Sequence, residues 1–311
     1  MILVFAPYPA LERVAMTEQF VPGAPQKPLR VSTFAGGAGL RAASVIRLMG
    51  ADTLAVGFAG GRIGELLADA LDRQDVPHVL TRTKSETRGA FLLLDKIGGV
   101  VTLIPENVPA TTDAENDKLM QSLSRHIGGA NYLLVSGDDN ESGLLASALE
   151  EARATNAQTV ADVKGLSLET ALQVGDLFLL RVSHKSLQRH LSQSLSHDSA
   201  IVREANVLRD KHNVRNIVVT LGEDGALLVG ESGAVRVKAP VVSHFNPTGG
   251  GQTLVGAMLA RLQAGDGLTE ALRFGCAAAS VNVTHDEPGY ATPAETQILL
   301  AKTTAVPVQT R

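Results

Sequence analysis

His244-Phe-Asn-Pro-Thr-Gly-Gly-Gly-Gln-Thr-Leu-Val-Gly-Ala-Met-Leu-Ala260 runs through three consecutive glycines directly into a helical pattern. Gly249, Gly250 and Gly251 carry no Cβ, so the backbone there can take unusual φ/ψ and approach a ligand closely. Leu254, Val255, Met258, Leu259 and Leu262 then recur at helical spacing. The N–H groups of such a loop sit at a helix N-terminus, where unpaired donors and the macrodipole favour an anion. A flexible turn before an ordinary surface helix is the other reading of the same residues.

The rest of the chain narrows the class. With 311 residues, 44% of them hydrophobic and only 4% aromatic, it can bury a large aliphatic core of the kind a parallel sheet flanked by helices requires. A formal charge of -4 and the lack of a basic run argue against nucleic acid as a partner. The single cysteine, Cys276, lies in an apolar helical run from Leu272 to Val283, which makes it a core residue and rules out an intramolecular disulfide. Met1 to Pro7 has no basic flank and is too short to span a membrane. It is expected to form the first strand of a cytoplasmic protein.

Short buried strands are expected at Leu54–Phe58, Tyr132–Val135, Thr159–Asp162, Leu177–Leu180 and Ile217–Thr220, near helices such as Leu40–Met49 and Ile63–Arg73. The alternation is that of an α/β fold, a doubly wound and mostly parallel sheet with helices on both sides. Two segments interrupt it. Residues 12–34 carry several prolines, and within 86–105 a hairpin is expected, Gly89–Leu94 turning at Gly98-Gly99 into Val100–Ile104. The two are expected to pair as a small β-sheet lid over a single domain spanning 1–311.

These motifs, taken in order, resemble the PfkB/ribokinase-like carbohydrate kinases, and within them the branch of 1-phosphofructokinase, 6-phosphofructokinase-2 and tagatose-6-phosphate kinase. Pro9-Ala-Leu-Glu12 is similar to that branch's Asn-Pro-Ala-Leu-Asp, and Gly36-Gly-Ala-Gly-Leu-Arg41 to its Gly-Gly-Lys-Gly-x-Asn. Gly60-Gly-Arg-Ile-Gly64 fits the family's next strand-to-helix turn, Thr87-Arg88 matches the Thr-Arg that opens its lid hairpin, and Val135-Ser-Gly137 and Asp162 fall where it has Ser-Gly and Asp at strand ends. Thr220-Leu-Gly-Glu-Asp-Gly-Ala226 looks like the nucleotide-side turn, and Gly249-Gly-Gly-Gln252 occupies the Gly-Ala-Gly-Asp signature.

The resemblance implies ATP-dependent phosphoryl transfer, with Mg²⁺, to a sugar or sugar-phosphate hydroxyl. It places an anion hole at Gly249, Gly250 and Gly251, nucleotide contacts at Thr220, Gly222 and Gly225, and substrate contacts at Glu12, Gly37, Arg41 and Arg88. Lys27 and Arg30, on the other lid segment, would add charge, and Asn246 is a turn residue before Pro247. A homodimer through the lid is the candidate assembly; nucleic acid and membrane are not expected partners.

Several polar positions depart from the family pattern. Gln252 stands at the family base, Ser183 and Ser186 replace the asparagine and glutamate of the metal motif Asn-x-x-Glu, Ala38 replaces a lysine, and Tyr8 and Glu12 replace asparagine and aspartate. Transfer is therefore expected to be weak, and a pseudokinase that binds nucleotide or sugar phosphate is the alternative. Asp138, Asp139 and Glu141, with Asp162, are candidate replacement oxygen ligands, though an acidic cap for a helix starting near Ser142 explains them with less. Asp224 reads as a turn residue. His184, His190 and His197 lack the i, i+4 spacing of a helical metal pair and read as a solvated helix face.

Overall fold

Ile2–Phe5 is apolar and buried at every position, and it forms an internal strand, β1, between two parallel neighbours. Ile2 and Val4 point into one layer of core, Leu3 and Phe5 into the other. A strand with both faces covered by helices must be apolar throughout, and each such side chain stabilises the fold by roughly 1.5–3 kcal/mol relative to exposure.

The computed structural model describes residues 1–137, 142–243 and 245–308. After β1 come β2 (Ala10–Thr17), β3 (Arg30–Gly36), α1 (Ala38–Leu48), β4 (Thr53–Gly60), α2 (Gly61–Arg73) and β5 (His78–Thr83). Next are β6 (Arg88–Asp95), β7 (Val100–Pro105), α3 (Asp113–Ile127), β8 (Tyr132–Gly137), α4 (Ser142–Arg153), β9 (Gln158–Val163), α5 (Gly165–Val174) and β10 (Leu177–Ser183). The chain continues through α6 (His184–Leu191), α7 (Asp198–His212), β11 (Val214–Thr220), β12 (Ala226–Gly230) and β13 (Gly233–Lys238). It closes with α8 (Gly250–Gln263), α9 (Leu268–Asn282), α10 (Pro293–Leu300) and β14 (Thr304–Pro307).

The main sheet has ten strands in the order β14-β13-β12-β11-β10-β9-β8-β1-β4-β5. From β11 to β5 every pairing is parallel, and β12, β13 and β14 add an antiparallel margin. One core layer packs α3, α4, α5 and α7 on the sheet, and the other packs α1, α2, α8 and α9. This is the doubly wound α/β architecture expected from the alternation.

The second sheet is four-stranded, ordered β3-β2-β6-β7. Its strands begin two residues before and end two residues after the expected 12–34 segment, and the prolines fall in the connection between β2 and β3. β6 and β7 form the expected hairpin, but β2 joins it through a parallel pairing, Ala10 opposite Arg88. The two strands at the centre of this sheet thus run the same way, a connection that only chain returning through the main sheet can make. Val14, Leu92 and Leu94 give it a small apolar cluster. Cys276 is buried in α9, as its apolar surroundings require. Among the described residues no helix is long and apolar enough to cross a membrane.

Candidate functional site

In open parallel sheets the carboxyl ends of the strands meet helix N-termini and leave a crevice. Here β9, β10 and β11 end beside the start of α8, and the small sheet closes over the same region. A cavity of about 280 Å³ lies between them. Glu12, Gly37, Arg41, Arg88 and Gln252, all expected site residues, line it together.

Gly249 caps α8 with φ of 87°, and a Cβ there would lie 2.5 Å from the Gly289 nitrogen. Only glycine takes that conformation so close to another backbone. Asn282, at the end of α9 and fully buried, holds the turn from behind. Its Oδ1 accepts from Gly289 N at 2.7 Å, Tyr290 N at 3.2 Å and Thr253 Oγ1 at 3.1 Å, while its Nδ2 donates to Thr248 O at 3.0 Å. Asn246 makes the expected turn, its Oδ1 accepting from Thr248 N, and is itself fully buried.

The register of β9 and β10 sets Arg181 beside Asp162. Arg181 Nη1 donates to Asp162 Oδ1 at 2.8 Å and Nη2 donates to Thr220 Oγ1 at 2.9 Å. The guanidinium lies flat against the glycine turn: a Cβ on Gly251 would fall 1.9 Å from Nη2. Gln252 Nε2 donates to the other Asp162 oxygen at 3.2 Å. The Asp162 side chain is 2% exposed, and both its oxygens are engaged.

Across the cleft a second pair is built the same way. Arg41, on α1, donates to Glu12, on β2, through Nε at 3.2 Å and Nη2 at 2.5 Å, and Gly37 N adds a third bond at 2.9 Å. Both side chains are almost wholly buried. The two positions expected to touch substrate are thus bound to each other. Arg88 is buried at the edge of the cleft, and its Nη2 donates to Tyr8 O at 2.9 Å.

The serines at the metal-motif positions have a local job. Ser183 caps α6, accepting from Ser186 N at 3.1 Å, and its hydroxyl donates to Ser186 Oγ at 2.8 Å. Asp138, Asp139 and Glu141 lie outside the described residues. Among those that are described, no cluster of three or more His, Cys, Asp and Glu side chains could hold a metal ion. The hydroxyls of Ser183 and Ser186 are poorer ligands for a hard divalent cation than the amide and carboxylate of the family's metal motif.

Thr220 reaches the cleft through Arg181, whereas Gly222 and Gly225 lie on the turn after β11, outside the cavity lining. Asp224 is in that turn, as expected. His184 departs from the solvated face assigned to it. It is half-buried, with Nε2 bonded to Leu195 O at 2.8 Å, and His197 lies on a different element. Arg30 is paired with Asp286 at 3.1 Å. Sequence reasoning missed Arg181 and Lys164, which both line the cavity. The available signal was a cation at the end of a buried strand, a position that needs a partner.

The sheet topology and the crevice define an α/β sugar-kinase architecture. The pfkB family carbohydrate kinase model matches residues 10–295, and the chain belongs to that family. It is 26% identical over 275 residues to the ATP-dependent 6-phosphofructokinase isozyme 2 of Escherichia coli, covering 88% of this chain and 89% of that protein. The structure of phosphofructokinase-2 from Escherichia coli in complex with fructose-6-phosphate superposes with a TM-score of 0.88 at 25% identity, over 97% of this chain and 98% of that one. A protein described as a possible 1-phosphofructokinase from Thermotoga maritima shares the fold at TM-score 0.88 and 18% identity, covering 99% of each chain. Ribokinase from the same organism shares it at 0.75 and 22%, over 96% of this chain and 99% of that one.

Proposed function

We propose that this protein binds sugar-phosphate and nucleotide ligands in the cleft and transfers phosphoryl groups slowly or not at all. The observation that carries the reading is Gln252, whose amide donates to Asp162 at the head of α8 where transfer chemistry asks for a free carboxylate. An amide has no useful basicity near neutral pH. Losing a general base forfeits roughly 10²- to 10⁴-fold in rate, about 3 to 5 kcal/mol of barrier. Glu12 and Asp162, the carboxylates in the described lining, are each held by an arginine, so neither is an unencumbered proton acceptor.

In this reading Arg88 receives the phosphate of a sugar phosphate, since a guanidinium can bind it through two N–H groups. Gly37 and the Glu12–Arg41 pair form the sugar side. Thr220, Gly222 and Gly225 form the nucleotide side, with the glycine turn of α8 facing the transferring phosphate. A homodimer through the outer face of the small sheet and a cytoplasmic location belong to the same reading.

A second reading keeps a slow ATP- and Mg²⁺-dependent kinase with Asp162 as the relocated base. Its support is the short distance from Asp162 to Gln252. A coupled assay with ATP, magnesium and a panel including fructose 6-phosphate separates the two. Turnover of the native protein at about 1 to 100 per second overturns the first reading. Residual turnover that Asp162→Asn abolishes favours the second. Gln252→Asp raising turnover by about 10²-fold identifies the base as the main loss, whereas no gain extends the loss to Ser183 and Ser186.

A further inference from the structure

Arg181 has an unusual setting for a buried cation. A guanidinium carries five N–H donors, and only two of them are used, one on Asp162 and one on Thr220. Its Nε is buried with no acceptor. Its side chain is 13% exposed and opens into the cavity. The charge also presses on the positive end of the α8 dipole, which is unfavourable unless an anion lies close by.

A phosphate dianion entering the cavity would meet the Arg181 N–H groups that neither Asp162 nor Thr220 takes, in a partly enclosed space where such bonds are strongest. At the family's metal-motif positions Ser183 and Ser186 offer hydroxyls, bonded to each other, in place of an amide and a carboxylate, and these are weak ligands for a hard divalent cation. Asp162, the carboxylate bonded to Gln252 beside the turn, already has both oxygens occupied.

We propose that Arg181 takes the place of a divalent metal, making this cleft a metal-independent site for the phosphate group of a nucleotide or a sugar phosphate. The inference rests on the reading of the cleft as a phosphate-ligand site, and it commits that reading to a protein cation in place of magnesium. Asp162 and Thr220 then act as positioning residues, holding the guanidinium flat against Gly251.

Calorimetric titration of the native protein with ATP, and separately with fructose 6-phosphate, in EDTA and in excess magnesium, tests it. At least one compound is expected to bind in EDTA, with Kd changed by less than about threefold on adding magnesium. Arg181→Gln is expected to weaken that compound about tenfold or more, as loss of a charge-assisted bond does. Arg181→Lys should fall between, keeping the charge without the planar fork. The compound that responds names the source of the phosphate. The double variant Arg181→Gln with Asp162→Asn leaves no unpaired buried charge, and it should lose binding in the same way. Binding that disappears in EDTA overturns the proposal while leaving the phosphate-ligand reading intact, and it would point to Asp138, Asp139 and Glu141. Unchanged binding in both Arg181 variants also overturns it. No binding of either compound in either buffer overturns both readings.

Discussion

Glu12 and Arg41 show how two departures from the family motifs meet as one buried pair. Two motif positions on different elements form an ion pair, with one carboxylate receiving two guanidinium bonds and a backbone N–H. Removing one partner of a buried pair leaves the other charge without compensation, at a cost of about 3–5 kcal/mol. Glu12→Gln is therefore expected to lower the denaturant-measured stability by that order, and a loss under about 1 kcal/mol would mean the pair behaves as a surface bridge. Cys276 gives a second test. Burial pushes its thiol up to about 12 from an ordinary 9.0. It should resist alkylation in the folded protein and react once denaturant unfolds it. The folded state keeps a proton that the unfolded thiol releases, so this contribution is full below pH 9.0 and falls as pH rises towards about 12. Cys276→Ala should flatten that alkaline slope of stability.

At the scale of elements, the glycine turn owes its shape to Asn282 on the next helix. Four hydrogen bonds from one buried amide tie α8, α9 and the loop at Gly289 into one unit. Asn282→Ala strands buried donors and acceptors that cost about 1–3 kcal/mol each. Urea unfolding should show a loss of about 3 kcal/mol or more, and retention of native stability would remove Asn282 from this role. The start of α3 is fixed by a capping box, in which Thr112 and Glu115 bond reciprocally. Glu115 also accepts from Lys84 N at 2.7 Å, joining the helix to the end of β5. The backbone N–H groups of Thr112, first, and Lys84 hold its carboxyl below the usual 4.5. Its stabilisation is therefore full above pH 4.5 and is lost as pH falls through the lowered folded value. Glu115→Gln should remove that acid-side slope, and an unchanged acid-unfolding curve would count against the bond.

On the scale of the whole molecule, the outward face of the small sheet is the surface to watch. Phe91 and Ile104 sit directly opposite each other on β6 and β7 and are 43% and 52% exposed, with Val31 on β3 at 45%. Apolar neighbours held on a sheet face and left in water favour association. Size-exclusion chromatography with light scattering is expected to give a dimer for the native chain and a monomer for Phe91→Glu. A native monomer at micromolar concentration would end that assignment.

Much of this architecture was legible locally. Aliphatic runs such as Ile2–Phe5 and Ile217–Thr220 require burial on both faces, and three glycines before a helical repeat require a tight turn at a helix start. The substitutions at Gln252, Ser183 and Ser186 could be read at once against the order of the motifs. Less legible were the antiparallel margin of β12 to β14, the parallel pairing of β2 with β6, and the strands hidden on either side of the prolines between them. Least legible were the ion pairs. Arg181 meets Asp162 only because β9 and β10 pair in one register, and Arg41 meets Glu12 only because α1 starts beneath β2. Periodicity and turn chemistry are set by neighbours along the chain, so the amino-acid sequence by itself determined the class of fold and the glycine turn. Which charge compensates which depends on distances across strands and between sheets, so the tertiary structure alone decided that Glu12 and Asp162, the carboxylates in the described lining, are held by arginines.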